Sequence, residues 1–236
     1  CSDPIGEDAT AVFNMLSGYS EPKKWNKLAV APIWLKDKFL MLINREAENA
    51  RQGKKGRIIA KMNSLCDPKI MHALYDASAA GVKIDLIVRG ICCIRAGVPG
   101  LSENISVRSI VGNYLEHSRI FYFYNDGFED IYMGSADWMP RNLDKRVEIT
   151  FPVEDPDLKK RIKDILKIQL ADTLKAHIMQ PDGSYEKQDL RGKVKLDSQM
   201  YFAEEARKRS AKPEDADAAI SHDRVFIPIE AEESEN

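Results

Sequence analysis

Basic side chains of the kind that bind phosphate recur at intervals along this chain. They are Lys61, Arg89, His117, Arg119, Arg141 and Arg146. Arginine forms paired, charge-assisted hydrogen bonds to phosphate oxygens, and several arginines together offset the charge of a multiply charged anion. The histidine stands in the stretch YLEHSRIFYF, and an imidazole exchanges its proton near neutral pH. If the fold brings these residues together, they predict a pocket for a polyphosphorylated ligand.

Each of these residues also has a purely structural interpretation. His117 could instead be a core histidine satisfied by a neighbouring carbonyl, and Arg89 could pair with an acid at the rim of a sheet. Arg119 could hold an adjacent site in place without touching a ligand. Arg141 and Arg146 lie in a charged stretch, where solvated side chains with little energetic effect are common.

The first half of the chain alternates between predicted helices and strands, and this alternation positions the candidate residues. Helices are predicted over DPIGEDATAVFNMLSGY and WLKDKFLMLINREAENARQG, a strand over KLAVAPI, and two apolar strands over GRIIAKMN and VKIDLIVRG. Asp67 begins the helix between the two apolar strands, with proline at its first position. Lys61 and Asn63 share one face at the end of the first apolar strand, and Arg89 ends the second. Because such sheets bind ligands where strands end, we expect these side chains at one edge.

The second half is predicted to contain short strands followed by helices. After the loop GICCIRAGVPGLSEN come the strands ISVRSIV, SRIFYFYN, DIYMGSA and RVEITFPV, with a turn at NDG. The spacing of Leu158, Ile162, Ile165, Leu166 and Ile168 predicts an amphipathic helix over 155–178. A polar loop around QPDGSYEK leads to a last helix over DSQMYFAEEARKR. These patterns together predict an α/β fold, with a mixed, mostly parallel sheet and helices on both faces.

Composition limits the classes of protein that the chain can belong to. With 236 residues and a formal net charge of -2, it is large enough for a sizeable core and unsuited to binding nucleic acid by bulk charge. The cysteines Cys1, Cys66, Cys92 and Cys93 lack zinc-type spacing, so we expect reduced thiols in a cytoplasmic protein. No apolar run is long enough to span a bilayer, and we expect no signal peptide. Because the chain opens without methionine, we expect a fragment of something longer.

One pair of motifs is similar to half of a phospholipase D-type site. That family carries His-x-Lys with an aspartate further on, followed by Gly-Ser-x-Asn; here His117-Ser118-Arg119 precedes Gly134-Ser135-Ala136-Asp137. Arg119 replaces the lysine, Asp137 replaces the asparagine, and Tyr124 stands where the family has its aspartate. These departures weaken a phosphodiesterase interpretation. We expect Asp137 to orient an arginine or a histidine, because a bare carboxylate repels phosphate.

Longer stretches resemble the C-terminal catalytic region of bacterial polyphosphate kinases. They are IGEDATAVFNMLSGY, KMNSLCDPKIMHALYDASAAGVKIDLIVRGICC, GLSENISVRSIVGNYLEHSRIFYF and SADWMPRNLDKRVEITFPV. The resemblance implies a phospholipase D-like fold built from two similar α/β domains that face one active site. It assigns residues 1–20 to the end of the preceding domain or a linker helix, and 21–209 to the C-terminal catalytic domain. Residues 210–236, which are mostly acidic, are predicted to be a disordered tail.

The same resemblance implies a reaction and its participants. The family transfers the terminal phosphate of ATP reversibly to inorganic polyphosphate, through a phosphohistidine and with Mg²⁺. The phosphorylated histidine and the magnesium-binding residues belong to the preceding domain, so no metal ligand is expected in this chain. Two ATP-site positions fall here, Arg89 in VRGICC and His117 in EHSRI. Lys61, Arg119 and Arg141 are weaker candidates for lining a polyphosphate path.

The roles and surroundings follow from this implication. We expect His117 to be a second catalytic histidine and phosphate ligand, and Arg89 to clamp nucleotide phosphates. The partners implied are ATP, ADP and inorganic polyphosphate, with no nucleic acid, in a homo-oligomer that is cytoplasmic or membrane-associated at full length. The isolated chain is expected to make no polyphosphate, because the nucleophile is missing. The alternatives are a phospholipase D-type phosphodiesterase and a non-catalytic module that binds polyanions.

Overall fold

A computed structural model describes residues 2–210, in which helices and strands alternate as the sequence predicts. In chain order the elements are α1 (Asp3–Leu16), β1 (Ala29–Val30), α2 (Leu35–Arg51), β2 (Arg57–Met62), α3 (Pro68–Ala79), β3 (Lys83–Val88), β4 (Ile105–Ile110), β5 (Arg119–Phe123), β6 (Asp130–Gly134), α4 (Pro140–Asp144), β7 (Ile149–Pro152), α5 (Pro156–Leu170), β8 (Ala176–Met179), β9 (Tyr185–Lys187) and α6 (Ser198–Ser210). A 3₁₀ turn over Asn125–Gly127 joins β5 to β6, at the predicted NDG turn.

The nine described strands form one mixed sheet in the order β1-β7-β6-β5-β2-β3-β4-β8-β9. The predicted α/β class and the mixed sheet are confirmed. The prediction of a mostly parallel sheet is wrong, because only β2–β3 and β3–β4 pair in parallel and the other six pairings are antiparallel. Helical crossovers join the parallel strands β2 and β3, whereas the short turn between β5 and β6 permits only antiparallel pairing.

Helices cover both faces of the sheet, as predicted. On one face the apolar side chains of α2 and α3 pack against alternate residues of the central strands, such as Ile58, Leu86 and Phe121. On the other face Ile162 and Leu166 of α5 pack against the intervening strand residues, including Ile87 and Ile120. Because successive side chains of a strand point to opposite faces, the central strands contribute to both cores.

Capping aspartates fix the starts of two helices. The Asp67 carboxylate accepts a hydrogen bond from the Ile70 backbone N–H at 3.1 Å, and Asp155 accepts from the Asp157 and Leu158 N–H groups, both at 2.9 Å. Each cap is followed by proline at the first helical position, where no N–H is needed. The predicted start of α3 at Asp67 is therefore confirmed.

The predicted end of α5 and the predicted loop after it are wrong. α5 ends at Leu170, and residues 176–179 form β8, which pairs with β4. The Asp172 carboxylate accepts from the backbone N–H groups of Lys175 at 2.7 Å and Ala176 at 3.1 Å, which turns the chain out of the helix. The polar stretch around QPDGSYEK contains β9, and Leu158 is 57% exposed and lies outside the buried face of α5.

The described chain divides into a large unit, residues 1–198, and a second unit that begins at residue 199. In the large unit, the buried Asp8 of α1 accepts from the backbone N–H groups of Asn26 at 2.9 Å, Lys27 at 2.7 Å and Leu28 at 2.8 Å. The predicted domain boundaries at residues 20 and 209 stay predictions, and the predicted disordered tail lies outside the described residues. No helix within 2–210 combines the length and apolarity needed to cross a membrane.

Candidate active site

A cleft of about 660 Å³ opens at the edge of the sheet where β2 and β6 end and β5 begins. Because β5 runs antiparallel to β2, the start of β5 meets the end of β2. Most of the predicted residues line this cleft, namely Asn63, His117, Arg119, Asp137, Arg141 and Arg146. The predicted convergence is observed in part: His117, Arg119, Arg141 and Arg146 line this cleft, whereas Lys61 and Arg89 line a separate small cavity. His117 precedes its strand, whereas Asn63 and Arg89 follow theirs.

His117 presents a free imidazole to solvent at the mouth of the cleft. The residue is exposed, and its ring has no hydrogen-bond partner among residues 2–210. The alternative of a buried core histidine is therefore wrong. Its backbone carbonyl accepts a hydrogen bond from Arg119 Nη1 at 2.8 Å. The main chain at this position is therefore fixed, while the ring remains able to contact a ligand.

Arg119 and Asp137 form a buried ion pair that supports the cleft. Arg119 Nε donates to Asp137 Oδ1 at 3.1 Å and Nη2 donates to Oδ2 at 3.3 Å, and the side chains are only 11% and 6% exposed. Asp137 Oδ1 also accepts from the Asn63 backbone N–H at 2.8 Å. The expectation that Asp137 orients an arginine is confirmed, and this pairing ties β2, β5 and the segment after β6 together.

An aromatic cluster fixes the position of Asp137. Its neighbour Trp138 is fully buried, stacked on Phe121 at 5.1 Å between ring centroids and edge-on to Phe39 at 5.5 Å. The Trp138 carbonyl accepts from the backbone N–H groups of Cys66 and Asp67, each at 2.9 Å. The carboxylate of Asp137 is thus anchored by its own main chain, which packing and hydrogen bonds immobilise.

Lys61 lies beneath the cleft and is buried. Its ammonium forms an ion pair with Glu116 at 3.3 Å and donates to the carbonyl and hydroxyl of Ser118 at 3.1 Å and 2.9 Å. Burial lowers the pKa of Lys61, and the charge of Glu116 offsets only part of this effect. The structure therefore brings Lys61 together with the segment that carries His117, whereas its predicted place along a polyphosphate path stays a prediction.

Arg89 does not line the cleft itself but contacts Asn63, which does. Its Nε and Nη2 donate to Asn63 Oδ1 at 3.0 Å and 2.5 Å, and Asn63 in turn lines the cleft with His117. The alternative of pairing with an acid is wrong, because the partner is an amide oxygen. The guanidinium also borders a small cavity with Lys61 and Glu116.

Two exposed arginines complete the rim of the cleft. Arg141, in α4, forms no ion pair among residues 2–210. Arg146 lies 3.9 Å from Glu148, whose carboxylate also accepts from the Asn142 side chain. The rim thus carries at least one uncompensated positive charge beside His117, which suits an anionic ligand.

Cys66 and Cys92, two cysteines near this edge, are not activated nucleophiles. Burial raises the pKa of Cys66, with further contributions from Cys93 and two nearby carboxylates, and burial raises the pKa of Cys92 to about 11. A thiol with a raised pKa carries little thiolate at neutral pH. The three described cysteines are free thiols, as the sequence predicts.

Three residues that support the site were not predicted. Glu116 and Ser118 flank His117; Glu116 forms an ion pair with Lys61 and Ser118 accepts a hydrogen bond from it. The sequence signal for such partners was a lysine on an otherwise apolar strand, because a buried ammonium requires them. At Gly134 a Cβ atom would collide with the Ile149 carbonyl and the Thr150 hydroxyl, so β6 and β7 approach too closely for any side chain. This close approach of the two strands places Ser135 in the lining of the cleft.

Comparisons with known proteins agree on one family. The family model of the polyphosphate kinase C-terminal domain 2 matches residues 28–199. A polyphosphate kinase from Synechocystis sp. is 57% identical over 185 residues, which cover 78% of this chain and 25% of that protein. The crystal structure of polyphosphate kinase from Porphyromonas gingivalis matches with a TM-score of 0.84 and 40% identity, over 88% of this chain and 32% of that one.

A weaker likeness and a difference in length complete the comparison. The phospholipase D family member Nuc from Salmonella typhimurium matches with a TM-score of 0.47 and 16% identity, over 69% of this chain and 97% of that one. The chain spans about a quarter of the Synechocystis protein and about a third of the Porphyromonas gingivalis protein.

Proposed function

Because this chain belongs to the polyphosphate kinase family, we propose that it forms one wall of a site that transfers the terminal phosphate of ATP reversibly to inorganic polyphosphate. The observation that carries the proposal is that one cleft is lined by the imidazole of His117 and the guanidinium of Arg141, neither of which has a partner among residues 2–210. A cation and a proton donor at one edge are what a phosphate-transfer site requires.

The chemistry assigned to His117 is general acid catalysis. In the proposed reaction the bond between the γ-phosphorus and the bridging oxygen of ATP breaks, while a phosphorus–nitrogen bond forms to a histidine of the preceding domain. His117 donates its proton to the leaving oxygen of ADP, which lowers the charge that builds there. A terminal oxygen of polyphosphate then attacks the phosphorus of the phosphohistidine, a P–O bond forms as the P–N bond breaks, and the histidine is released while polyphosphate gains the phosphoryl group.

Arg89 and Arg141 are assigned to binding phosphate oxygens. Arg89 already donates two N–H groups to Asn63, which holds its guanidinium plane at the edge of the sheet and leaves its remaining N–H groups for a ligand. Arg141 lies on the rim and forms no ion pair within residues 2–210 that a ligand would have to break. Arg119 is a positioning residue, because each of its three side-chain nitrogens already donates a hydrogen bond to Asp137 or to the His117 carbonyl.

The resemblance implies Mg²⁺, but the described residues do not fit a magnesium site. The cleft contains two carboxylates, and both have partners: Asp137 holds Arg119, and Glu148 holds Asn142. No group of three or more metal-ligating side chains occurs within residues 2–210. We therefore assign no magnesium ligand to the described part of the chain and route no step through the ion.

The test is the replacement of His117 in the longer protein that the proposal implies. His117→Ala should lower the rate of polyphosphate synthesis from ATP by about 10²–10⁴-fold, the usual contribution of a positioned proton donor. His72→Ala is the matched control, because His72 is an exposed histidine of α3 outside the cleft. Synthesis that survives His117→Ala within a factor of about two would contradict the assignment.

The two alternatives are tested with the same proteins. A phosphodiesterase would cleave bis-p-nitrophenyl phosphate. Loss of this cleavage in His117→Ala would favour the phospholipase D interpretation. A non-catalytic module would bind polyphosphate with no turnover in any form of the protein. The isolated chain is expected to bind but not to synthesise, since the proposed nucleophile lies outside it.

A further inference from the structure

A second basic surface lies at the opposite edge of the sheet from His117. We call it the basic groove; it has a volume of about 770 Å³ and runs between the starts of β2 and β3 and the helix α5. Its basic lining residues are Lys54, Lys55, Arg57, Lys83, Lys163 and Lys167, and its lining contains one carboxylate, Glu129. A groove with this excess of positive charge attracts anions.

Three of these lysines have no acidic partner in the described part of the chain. Lys55, Lys83 and Lys167 are exposed and form no ion pair among residues 2–210. By contrast, Lys54 pairs with Asp126 at 2.7 Å and Lys163 pairs with Glu129 at 2.6 Å. The positive charge of the groove is therefore concentrated in three side chains that are free to meet a ligand.

An arginine in the same groove has an unsatisfied donor. Arg57 forms an ion pair with Asp85 through Nη2, but its Nη1 is buried and has no hydrogen-bond partner among the described residues. A buried N–H group without an acceptor is unfavourable by about 1–3 kcal/mol, so such groups are rarely left unpaired. Because Arg57 lines the groove, the groove contains, besides its lysines, a guanidinium donor that no residue within 2–210 satisfies.

Four of the cations form two pairs on different elements of the groove lining. Arg57 and Lys83 are partners on neighbouring parallel strands, which lie about 4.8 Å apart. Lys163 and Lys167 are one turn apart on α5, with about 5–6 Å between their Cβ atoms. A chain of linked phosphates offers acceptor oxygens to both pairs, whereas a single phosphate offers only one set.

The inner wall of the groove is apolar and aromatic. Ile59, Leu166 and the rings of Tyr122 and Tyr124 line it, and Lys55 Nζ lies 5.0 Å from the centre of the Tyr124 ring. Apolar walls lower the local dielectric constant and strengthen the attraction between the lysines and an anion. The ring of Tyr124 keeps the Lys55 ammonium at the groove.

We infer that the basic groove is a second anion site, separate from the cleft at His117, and that it holds a chain of linked phosphates. The ligand chemistry is a polyphosphate chain, supplied either by inorganic polyphosphate or by a nucleoside triphosphate. The inference goes beyond the proposed function, because it assigns binding to an edge of the sheet that contains none of the proposed catalytic residues. It predicts that the chain binds phosphate polymers at two places.

The first experiment locates the anion on the intact chain by lysine acetylation. Tripolyphosphate, ATP and sulfate are compared at equal ionic strength, and mass spectrometry measures the acetylation rate of each lysine. Tripolyphosphate should slow acetylation of Lys55, Lys83 and Lys167 and leave the exposed Lys69 unchanged. If tripolyphosphate and ATP both protect the groove lysines from acetylation, the groove is a site for phosphate chains in general. If ATP alone protects them, the ligand of the groove is the nucleoside triphosphate. Protection equal to that by sulfate overturns the inference.

The second experiment uses matched triple variants. Lys55→Ala, Lys83→Ala and Lys167→Ala together should weaken tripolyphosphate binding at the groove about ten-fold, since each exposed contact contributes modestly. The control combines Lys24→Ala, Lys69→Ala and Lys160→Ala, which removes the same charge from exposed lysines outside the groove. Calorimetric titration measures the affinity, and circular dichroism verifies that both variants are folded. An equal loss in both triple variants would show that net charge alone governs binding, and would overturn the groove as a site.

A third protein separates this inference from the proposed function. The pair Arg141→Ala and Arg146→Ala alters the cleft, so tripolyphosphate should still protect the three groove lysines from acetylation in that variant. Loss of their protection there would refute two separate sites. Failure of His117→Ala to affect synthesis would count against the proposed function and leave the groove result untouched.

Discussion

The ion pair between Arg119 and Asp137 provides the sharpest test of how the cleft is held. In Asp137→Asn the shape of the side chain is kept and its charge is removed, while one oxygen remains to accept from the Asn63 N–H group. The guanidinium of Arg119 then stays 11% exposed without a counter-charge. Removing one partner of a buried pair costs about 3–5 kcal/mol, and the retained oxygen places this case at about 3 kcal/mol.

The loss of unfolding free energy in Asp137→Asn can be measured in two ways on the isolated chain. Urea denaturation followed by tryptophan fluorescence should show the midpoint falling with an unchanged slope, because the surface exposed on unfolding is the same. Scanning calorimetry should show the melting temperature falling by roughly 6–12 °C, since a chain of this size loses about 2–4 °C per kcal/mol. Glu154→Gln is the control, because its pair with Lys27 is 50% and 37% exposed and should contribute less than about 1 kcal/mol.

Two results would refute the reasoning. One is a loss in Asp137→Asn no greater than that in Glu154→Gln, which would mean that solvent screens the pair. The other comes from combining Asp137→Asn with Arg119→Met. If the pair is coupled as the distances indicate, the double variant should be at least about 1.5 kcal/mol more stable than the sum of the single losses predicts. Simple additivity would show that the two residues act independently.

The remaining predictions concern a buried carboxylate and a buried ammonium. Burial raises the pKa of Asp8, but the backbone N–H groups of residues 26–28 outweigh it, so the pKa is lowered overall. The stability that Asp8 contributes is therefore present above its ordinary value of 3.8 and is lost as the pH falls through the lower folded-state pKa. Asp8→Asn should cost about 2 kcal/mol at pH 7 in urea denaturation, and a difference that stays constant down to pH 2 would contradict this. Lys61→Met should free the segment around His117, so amide hydrogen exchange of residues 116–119 should quicken while that of β9 is unchanged; equal exchange in both proteins would show that Ser118 does not depend on Lys61.

The sequence predicted the parts of the fold in which local chemistry decides the structure. Asp67 followed by proline marks the start of α3, and the apolar runs before Lys61 and Arg89 mark two strands buried on both faces. It did not predict that α5 ends at Leu170, because the turn depends on hydrogen bonds from residues 175 and 176 to Asp172. Helical periodicity continues past that point in the sequence, and only the pairing of β8 with β4 overrides it.

Of the six basic residues that the sequence places around one pocket, four line the cleft, whereas Lys61 and Arg89 line a separate small cavity. His117, Arg119 and Arg141 were expected at one edge, and the structure brings them to one cleft. What the sequence could not show is which cation faces the ligand and which faces the protein. That division depends on where Asp137 and Glu116 lie, and both come from segments distant along the chain from Lys61. The basic groove was missed for the same reason, since its lysines come from three separate elements.

The contact between β6 and β7 at Gly134 limits how the protein can change. A methyl group there would force β7 away from β6, and Ser135, which donates its backbone N–H to the Ile149 carbonyl at 3.0 Å, would move with it. Random libraries screened for phosphate binding should therefore recover glycine at this codon, because no side chain fits between the two strands there. The range of substitutions that the cleft tolerates is thus limited partly by the close approach of two neighbouring strands. Any recombination that exchanges β7 must therefore exchange β6 as well.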